Sequence, residues 1–260
     1  MSGNGHAAPD TSTGAPSTGA PPVGAGGAYV GSELELFAAA VNWKRRLRRE
    51  TSVHVRGDVL EVGAGIGATT AALRHDGVRT WTCLEPDPAF CATIEAAGAR
   101  GALRGDVRVA RGTLEELRAA EAFDTVLYID VLEHIEDDRA EAARAARALR
   151  PGGRLVVVAP AHPWLFSPFD AAVGHHRRYT RPSLRAVMPD GLREVDCRYL
   201  DSAGMLASAA NRLVLSRSLP TARQIRVWDR LLVPASSILD RLTGHALGKS
   251  LLGVWERLDG

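Results

Sequence analysis

The chain has 260 residues, of which 32 are Lys or Arg and 30 are Asp or Glu, for a formal net charge of +2. That near-balance excludes a broadly basic nucleic-acid clamp, and no run approaches the ~20 apolar residues that span a bilayer as a helix. Three scattered cysteines, Cys83, Cys91 and Cys197, form no C-x-x-C pair and suggest neither a disulfide framework nor a zinc knuckle.

A reducing cytoplasm is therefore the default expectation. Among the basic residues only Lys44 and Lys249 are lysines, which reads as a compositional bias toward arginine. In residues 1–28 all but five are Gly, Ala, Pro, Ser or Thr, and the only formal charge is Asp10. Such a stretch cannot bury enough surface to offset its ordering entropy, and it lacks the basic start and apolar core of a secretory signal. A disordered tail is expected over 1–28 and a single domain over 29–260.

From residue 55 to 160 short apolar runs alternate with helical stretches. The runs are Val59–Val62, Thr80–Leu84, Val107–Ala110, Thr125–Ile129 and Leu155–Ala159. Helices are expected between them over Thr69–His75, Ala89–Ala97, Leu114–Ala120 and Glu136–Leu149. This rhythm predicts βαβ units, a parallel sheet and helices wound onto both faces. Ligands of such sheets bind beyond the carboxyl ends of the strands, at the switch point.

After the first run comes Glu61-Val62-Gly63-Ala64-Gly65-Ile66-Gly67. Closely spaced glycines let a backbone turn tightly and approach a ligand without Cβ interference. The second run ends in Leu84-Glu85-Pro86-Asp87, where an acid can accept hydrogen bonds from both hydroxyls of a ribose. Asp87 reads as the N-cap of the next helix. Thr113 and Glu116 have capping-box spacing, and the same strand end would lie over a nucleoside base. Pro151-Gly152-Gly153 ends a helix and turns the chain into a buried strand.

At this point the chain resembles the class I S-adenosylmethionine-dependent methyltransferases of the small-molecule type. VLEVGAGIGATT looks like their first motif and LEPD like their ribose-binding acidic position. FDTVLYIDVLEHIEDD and LRPGGRLVVVAP look like their fourth- and fifth-strand signatures. The resemblance implies an α/β, Rossmann-like, seven-stranded, mostly parallel sheet with helices on both faces and a helical insertion before the last strand. Leu192–Leu200 suits strand six and Lys249–Leu258 an antiparallel strand seven.

The resemblance also implies S-adenosyl-L-methionine as cofactor. Gly63, Gly65 and Gly67, with Ala64 in the same loop, would face its methionine part, and Glu61 would reach its amino end. Glu85, followed by Pro86, would hold the ribose. Thr113 and Leu114 would flank the adenine, and Ile129 would lie beside the sulfonium. The activity implied is methyl transfer to a small-molecule or lipid-like acceptor. A cyclase or decarboxylase on the same cofactor-binding scaffold is the alternative.

The segment after strand five leaves the edge where an acceptor must approach. Trp164, Phe166, Phe169 and Tyr179 could build an apolar wall. His175 or His176 could serve as base, and Arg177 and Arg178 could hold an anionic group. The same His and Arg side chains could instead brace the loop against Asp170 or Glu133. Asp130, Glu133 and His134 resemble a set that binds a divalent metal in some ubiquinone-type and small-RNA methyltransferases, which His175 could supplement. A similar element also occurs in metal-free members, and a site without metal is the expectation.

Residues 203–247 read as an amphipathic helical insertion, with helices over Met205–Leu219, Ala222–Leu232 and Ser236–Leu242 and breaks at Pro220 and Pro234. Packing on its own domain, a lid over a lipophilic acceptor, a homodimer interface and a membrane-surface contact all fit such a stripe. The partner expected is a small-molecule acceptor, with no nucleic acid.

Overall fold

The computed structural model describes residues 34–117, 120, 122–214 and 220–259. The expected tail over 1–28, the end of the helix expected over Leu114–Ala120, and the end of that over Met205–Leu219 lie outside the described residues.

The five apolar runs become β1 (Gly57–Val62), β2 (Val78–Glu85), β3 (Asp106–Arg111), β4 (Phe123–Ile129) and β5 (Leu149–Pro160), joined by β6 (Leu192–Leu200) and β7 (Ser250–Arg257). The sheet order is β3-β2-β1-β4-β5-β7-β6. β1, β2, β3, β4 and β5 pair in parallel, and β7 runs antiparallel between β5 and β6. The chain winds outward from β1 through β2 to β3, then crosses back to β4, so the switch point lies between β1 and β4.

Helices cover both faces, which is why the central strands are apolar without alternation. Along β5, Leu155 and Val157 pack on one face with Leu60, Val126 and Trp255, whereas Val156 and Val158 pack on the other with Trp81, Leu127 and Val254. The crossovers are α2 (Ala68–Leu73), α3 (Pro88–Ala99), α4 (Leu114–Leu117) and α5 (Asp138–Ala148). They follow α1 (Val41–Thr51), which turns Trp43, Leu47 and Thr51 inward at helical spacing. After β5 come the short helices α6 (Pro168–Ala172) and α7 (Arg181–Arg185).

The insertion differs from expectation at Pro234. α8 (Ser202–Val214) follows β6 directly. A second helical run then extends from α9 (Ala222–Val227) through a π turn over Trp228–Leu232 into α10 (Val233–Leu242) without a break. Pro234 lies in the first turn of α10. The register change of the π turn immediately before it accommodates a residue that has no N–H to donate. Among the described residues no helix is long and apolar enough to cross a membrane.

Candidate functional site

The glycine loop leaves β1 at the switch point. Gly63 adopts φ of 69°, and a Cβ there would lie 2.7 Å from a methyl of Val131, the second residue after β4. A larger residue would both strain the backbone and push the β4 loop away. The loop is pinned to β2, since Gly63 N–H donates to the Leu84 carbonyl at 2.8 Å and Gly65 N–H to Glu85 Oε2 at 2.8 Å.

Two carboxylates flank this loop. Glu61 is buried and accepts hydrogen bonds from the Thr70 hydroxyl and, at 2.8 Å, from Trp81 Nε1. Burial, with a smaller push from Glu85, raises its carboxyl to about 7, against the pull of those two donors. Glu85 ends β2, and its other oxygen accepts from Asp87 N–H at 3.0 Å. Burial raises its carboxyl too. Asp87 caps α3 through Ala89 N–H and Phe90 N–H, as its spacing predicts, and Pro86 is exposed beside it. Exposed Thr113 and Glu116 form the reciprocal cap of α4, next to buried Leu114. Half-buried Ile129 closes β4. The residues expected around the cofactor thus gather along the carboxyl ends of β1 to β4.

The residue after Ile129 is Asp130, held at φ of 54°. The residue is exposed at the end of β4, and the protein crowded around its carboxyl raises it above its usual range, opposed by His175, Lys249, Lys44 and Arg178. Lys44 comes from α1. Its Nζ donates to the carbonyls of Phe37, at 2.7 Å, and Ala38. Lys249 comes from the turn into β7. Its Nζ stands 4.7 Å over the Trp228 ring and makes no hydrogen bond among the described residues. Burial lowers the pKa of both ammoniums, and Asp130 opposes this in each. The two lysines of the chain thus both act electrostatically on the same acid, a convergence that residue spacing does not announce.

The loop after β5 is braced from within. Asp170 is fully buried and takes Arg178 in a fork, Nε to Oδ1 at 2.8 Å and Nη2 to Oδ2 at 3.0 Å. His175 Nδ1 joins Oδ1 at 2.9 Å. Burial opposes ionisation of Asp170, but the bonds from His175, Arg178 and Ser167 outweigh it and hold the carboxyl well below its usual range. Arg177 pairs with Asp138 at 2.6 Å and donates to the Glu136 carbonyl. Tyr179 is buried and donates to Asp138 Oδ2 at 2.8 Å. Arg178, expected either to hold an anionic acceptor group or to brace the loop, is thus engaged in bracing, and Tyr179, expected in the aromatic acceptor wall, is bound to Asp138.

The expected aromatic wall is divided. Phe169 meets Phe37 at 6.3 Å, and Phe37 meets Trp228 edge-on at 6.2 Å. Phe166 is half-buried, while Trp164 is 53% exposed and packs against His162. His176 is exposed and points to no described carboxylate, its backbone N–H bonding the Glu133 carbonyl.

His175 is placed differently. With Nδ1 committed to Asp170, its Nε2 lies 3.8 Å from Glu133 Oε1. Glu133 is fully buried, and neither of its carboxylate oxygens has a hydrogen-bond partner among the described residues. Burial, reinforced by Asp130, raises its carboxyl well above the ordinary range. The His134 ring lies 4.6 Å from that of His175, and burial drops its pKa to about 4, so it is neutral. One donor atom each from Glu133, His134 and His175 falls within 4.8 Å of the others, a set that could hold a metal ion. His175 here takes the place that Asp130 occupies in the set read from sequence.

Residues 60–157 match the family model described as a methyltransferase domain. The chain is 30% identical over 161 residues to a demethylmenaquinone methyltransferase of Tropheryma whipplei, covering 60% of this chain and 64% of that one. It is 30% identical over 150 residues to a ubiquinone biosynthesis O-methyltransferase of Xanthomonas oryzae pv. oryzae, covering 50% and 62%. The chain thus spans less than two thirds of the length of these relatives. Among solved structures it resembles the [4+2]-cyclase SpnF, at TM-score 0.58 and 18% identity over 89% of this chain and 96% of that one. It also resembles the N-methyltransferase NodS of Bradyrhizobium japonicum WM9 in complex with S-adenosyl-L-homocysteine, at TM-score 0.51 and 18% identity over 82% and 84%. At such identities these two likenesses speak to the fold. The motif-bearing sheet, the match over residues 60–157 and the order of the strands agree: residues 60–157 are similar to a methyltransferase domain, set in the Rossmann-like fold of the class I S-adenosylmethionine-dependent methyltransferases.

Proposed function

We propose that this chain methylates a small, lipid-like acceptor that approaches the cleft around Asp130. The observation that carries this reading is the adjacency of two features at one sheet edge. The glycine loop and Glu85 end beside β4, and the residue next to Val131, against which Gly63 packs, is Asp130 itself. The relatives named for quinone methylation support an acceptor with an aromatic head and an apolar tail. Phe37, Phe169 and Trp228 offer such a body a wall beside the charges of Lys249 and Asp130.

The glycine loop, Glu61, Glu85, Thr113, Leu114 and Ile129 would hold S-adenosylmethionine, which supplies a methyl already activated by its sulfonium. The protein's main task is then alignment, and proximity with orientation can supply ~7–11 kcal/mol. An acceptor hydroxyl must also lose its proton. Asp170 is ionised and fixes His175 through Nδ1, which leaves Nε2 as the proton-accepting nitrogen. We read His175 as the base and His176 as outside the chemistry. Lys249, whose ammonium has no hydrogen-bond acceptor among the described residues, would take an anionic or carbonyl oxygen of the acceptor head.

Incubation with methyl-labelled S-adenosylmethionine and a panel of prenylated catechols and hydroquinones tests this reading. Label in the organic product, matched by S-adenosylhomocysteine, is expected. An acceptor consumed without label uptake would instead favour the cyclase or decarboxylase alternative.

A further inference from the structure

The helical run Ala222–Leu242 has two faces of opposite purpose. Its inner face buries Ile225, Trp228, Asp229, Val233, Ser236 and Asp240. Both acids of the run point inward. Asp229 accepts Trp43 N–H at 2.8 Å and Asn42 N–H at 3.2 Å. Asp240 pairs with Arg46 and accepts the Asp201 and Ser202 N–H groups.

The outer face is apolar as well. Val227, Leu231, Ile238 and Leu242 are 46%, 64%, 65% and 77% exposed, at spacings of four, seven and four residues that set them in one stripe. Arg223, Arg226, Arg230 and Arg241 are exposed beside it, and none forms an ion pair among the described residues. Every exposed charged side chain from 220 to 247 is an arginine.

We propose that this outer face docks on an anionic lipid surface, with the aliphatic stripe entering the acyl boundary and the four arginines meeting headgroup phosphates. Charge complementarity selects this occupant. A second copy of the chain, paired about a two-fold axis, would set four unanswered arginines against four more. Residues 1–28 are unsuited to cover the stripe, because they bring one acid, Asp10, and two bulky apolar side chains, Met1 and Val23. A basic, apolar helix face without acids is instead what a lipid interface stabilises. Trp228 lies on the same run, facing Lys249 and Phe37, so docking would set the cleft close to the lipid. That last consequence rests on the lipid-like acceptor, whereas the docking itself does not.

The test is sedimentation of the full chain with phosphatidylcholine vesicles that contain or lack phosphatidylglycerol. Binding only to the anionic vesicles, released by high salt, is expected. Each arginine near such a surface is worth ~5-fold in partitioning, so R223E/R230E should bind at least ~25-fold more weakly. L231S/L242S should also lose binding, and both variants should keep wild-type melting and S-adenosylhomocysteine affinity. Three results would overturn the proposal: equal or absent binding to both vesicle types, binding unchanged in R223E/R230E, or vesicle binding that appears only after removal of residues 1–28. Acceptor turnover does not enter the readout, so failure here is separable from failure of the methylation reading.

Discussion

Glu61 allows a quantitative test of how the cofactor pocket is built. The carboxyl rises from its ordinary value of 4.5 to about 7 on folding. In the unfolded chain it ionises near the ordinary value, so between the two values the unfolded state has released a proton that the folded state retains. The sign follows: stability from this group is complete below 4.5 and is lost as pH climbs through 7. At about 1.36 kcal/mol per pH unit the loss is ~3 kcal/mol. E61Q keeps a neutral acceptor oxygen for Thr70 and Trp81 and removes the titration. Urea unfolding followed by tryptophan fluorescence, from pH ~5 to ~8, should show E61Q gaining on the wild type by most of that amount. A difference between the two proteins that stays flat across the range would refute the burial argument.

Three further outcomes follow from the site. E85A should weaken S-adenosylhomocysteine binding by ~100-fold or more in calorimetry, because it would remove the charge-assisted bonds proposed to both ribose hydroxyls. K249M keeps the aliphatic stem over Trp228 but removes the ammonium, so KM for the acceptor should rise roughly 10- to 100-fold while S-adenosylhomocysteine affinity stays unchanged. Calorimetric titration with manganese should show no site, as His175 Nε2 stays free to accept a proton; one site in the wild type that is lost in E133A would instead assign Glu133, His134 and His175 to a metal.

The sheet was largely legible because its helices cover both faces and force continuous apolar runs. β6 coincides with the expected Leu192–Leu200, and β7 lies within Lys249–Leu258. Local chemistry was equally readable where partners are three residues apart or fewer, as at the Asp87 cap and the Thr113–Glu116 box. Pro234 misled because a proline in the first turn of a helix looks like a break when the preceding π turn is invisible in the sequence. Lys44, Asp130 and Lys249 influence one another only in the folded chain, from α1, the end of β4 and the turn into β7. The one signal for them was rarity, two lysines among 32 basic residues, and composition bias masks it. Arg178 illustrates the converse: an arginine beside a histidine pair suggests anion binding, but a buried Asp170 eight residues earlier claims it.

The most direct measurement is a crystal structure with S-adenosylhomocysteine bound. The account predicts the Glu85 carboxylate within hydrogen-bond distance of both ribose hydroxyls, and the sulfur facing the cleft shared by Asp130, His175 and Lys249. A ribose held elsewhere, with Glu85 still bound only to Gly65 and Asp87, would contradict it.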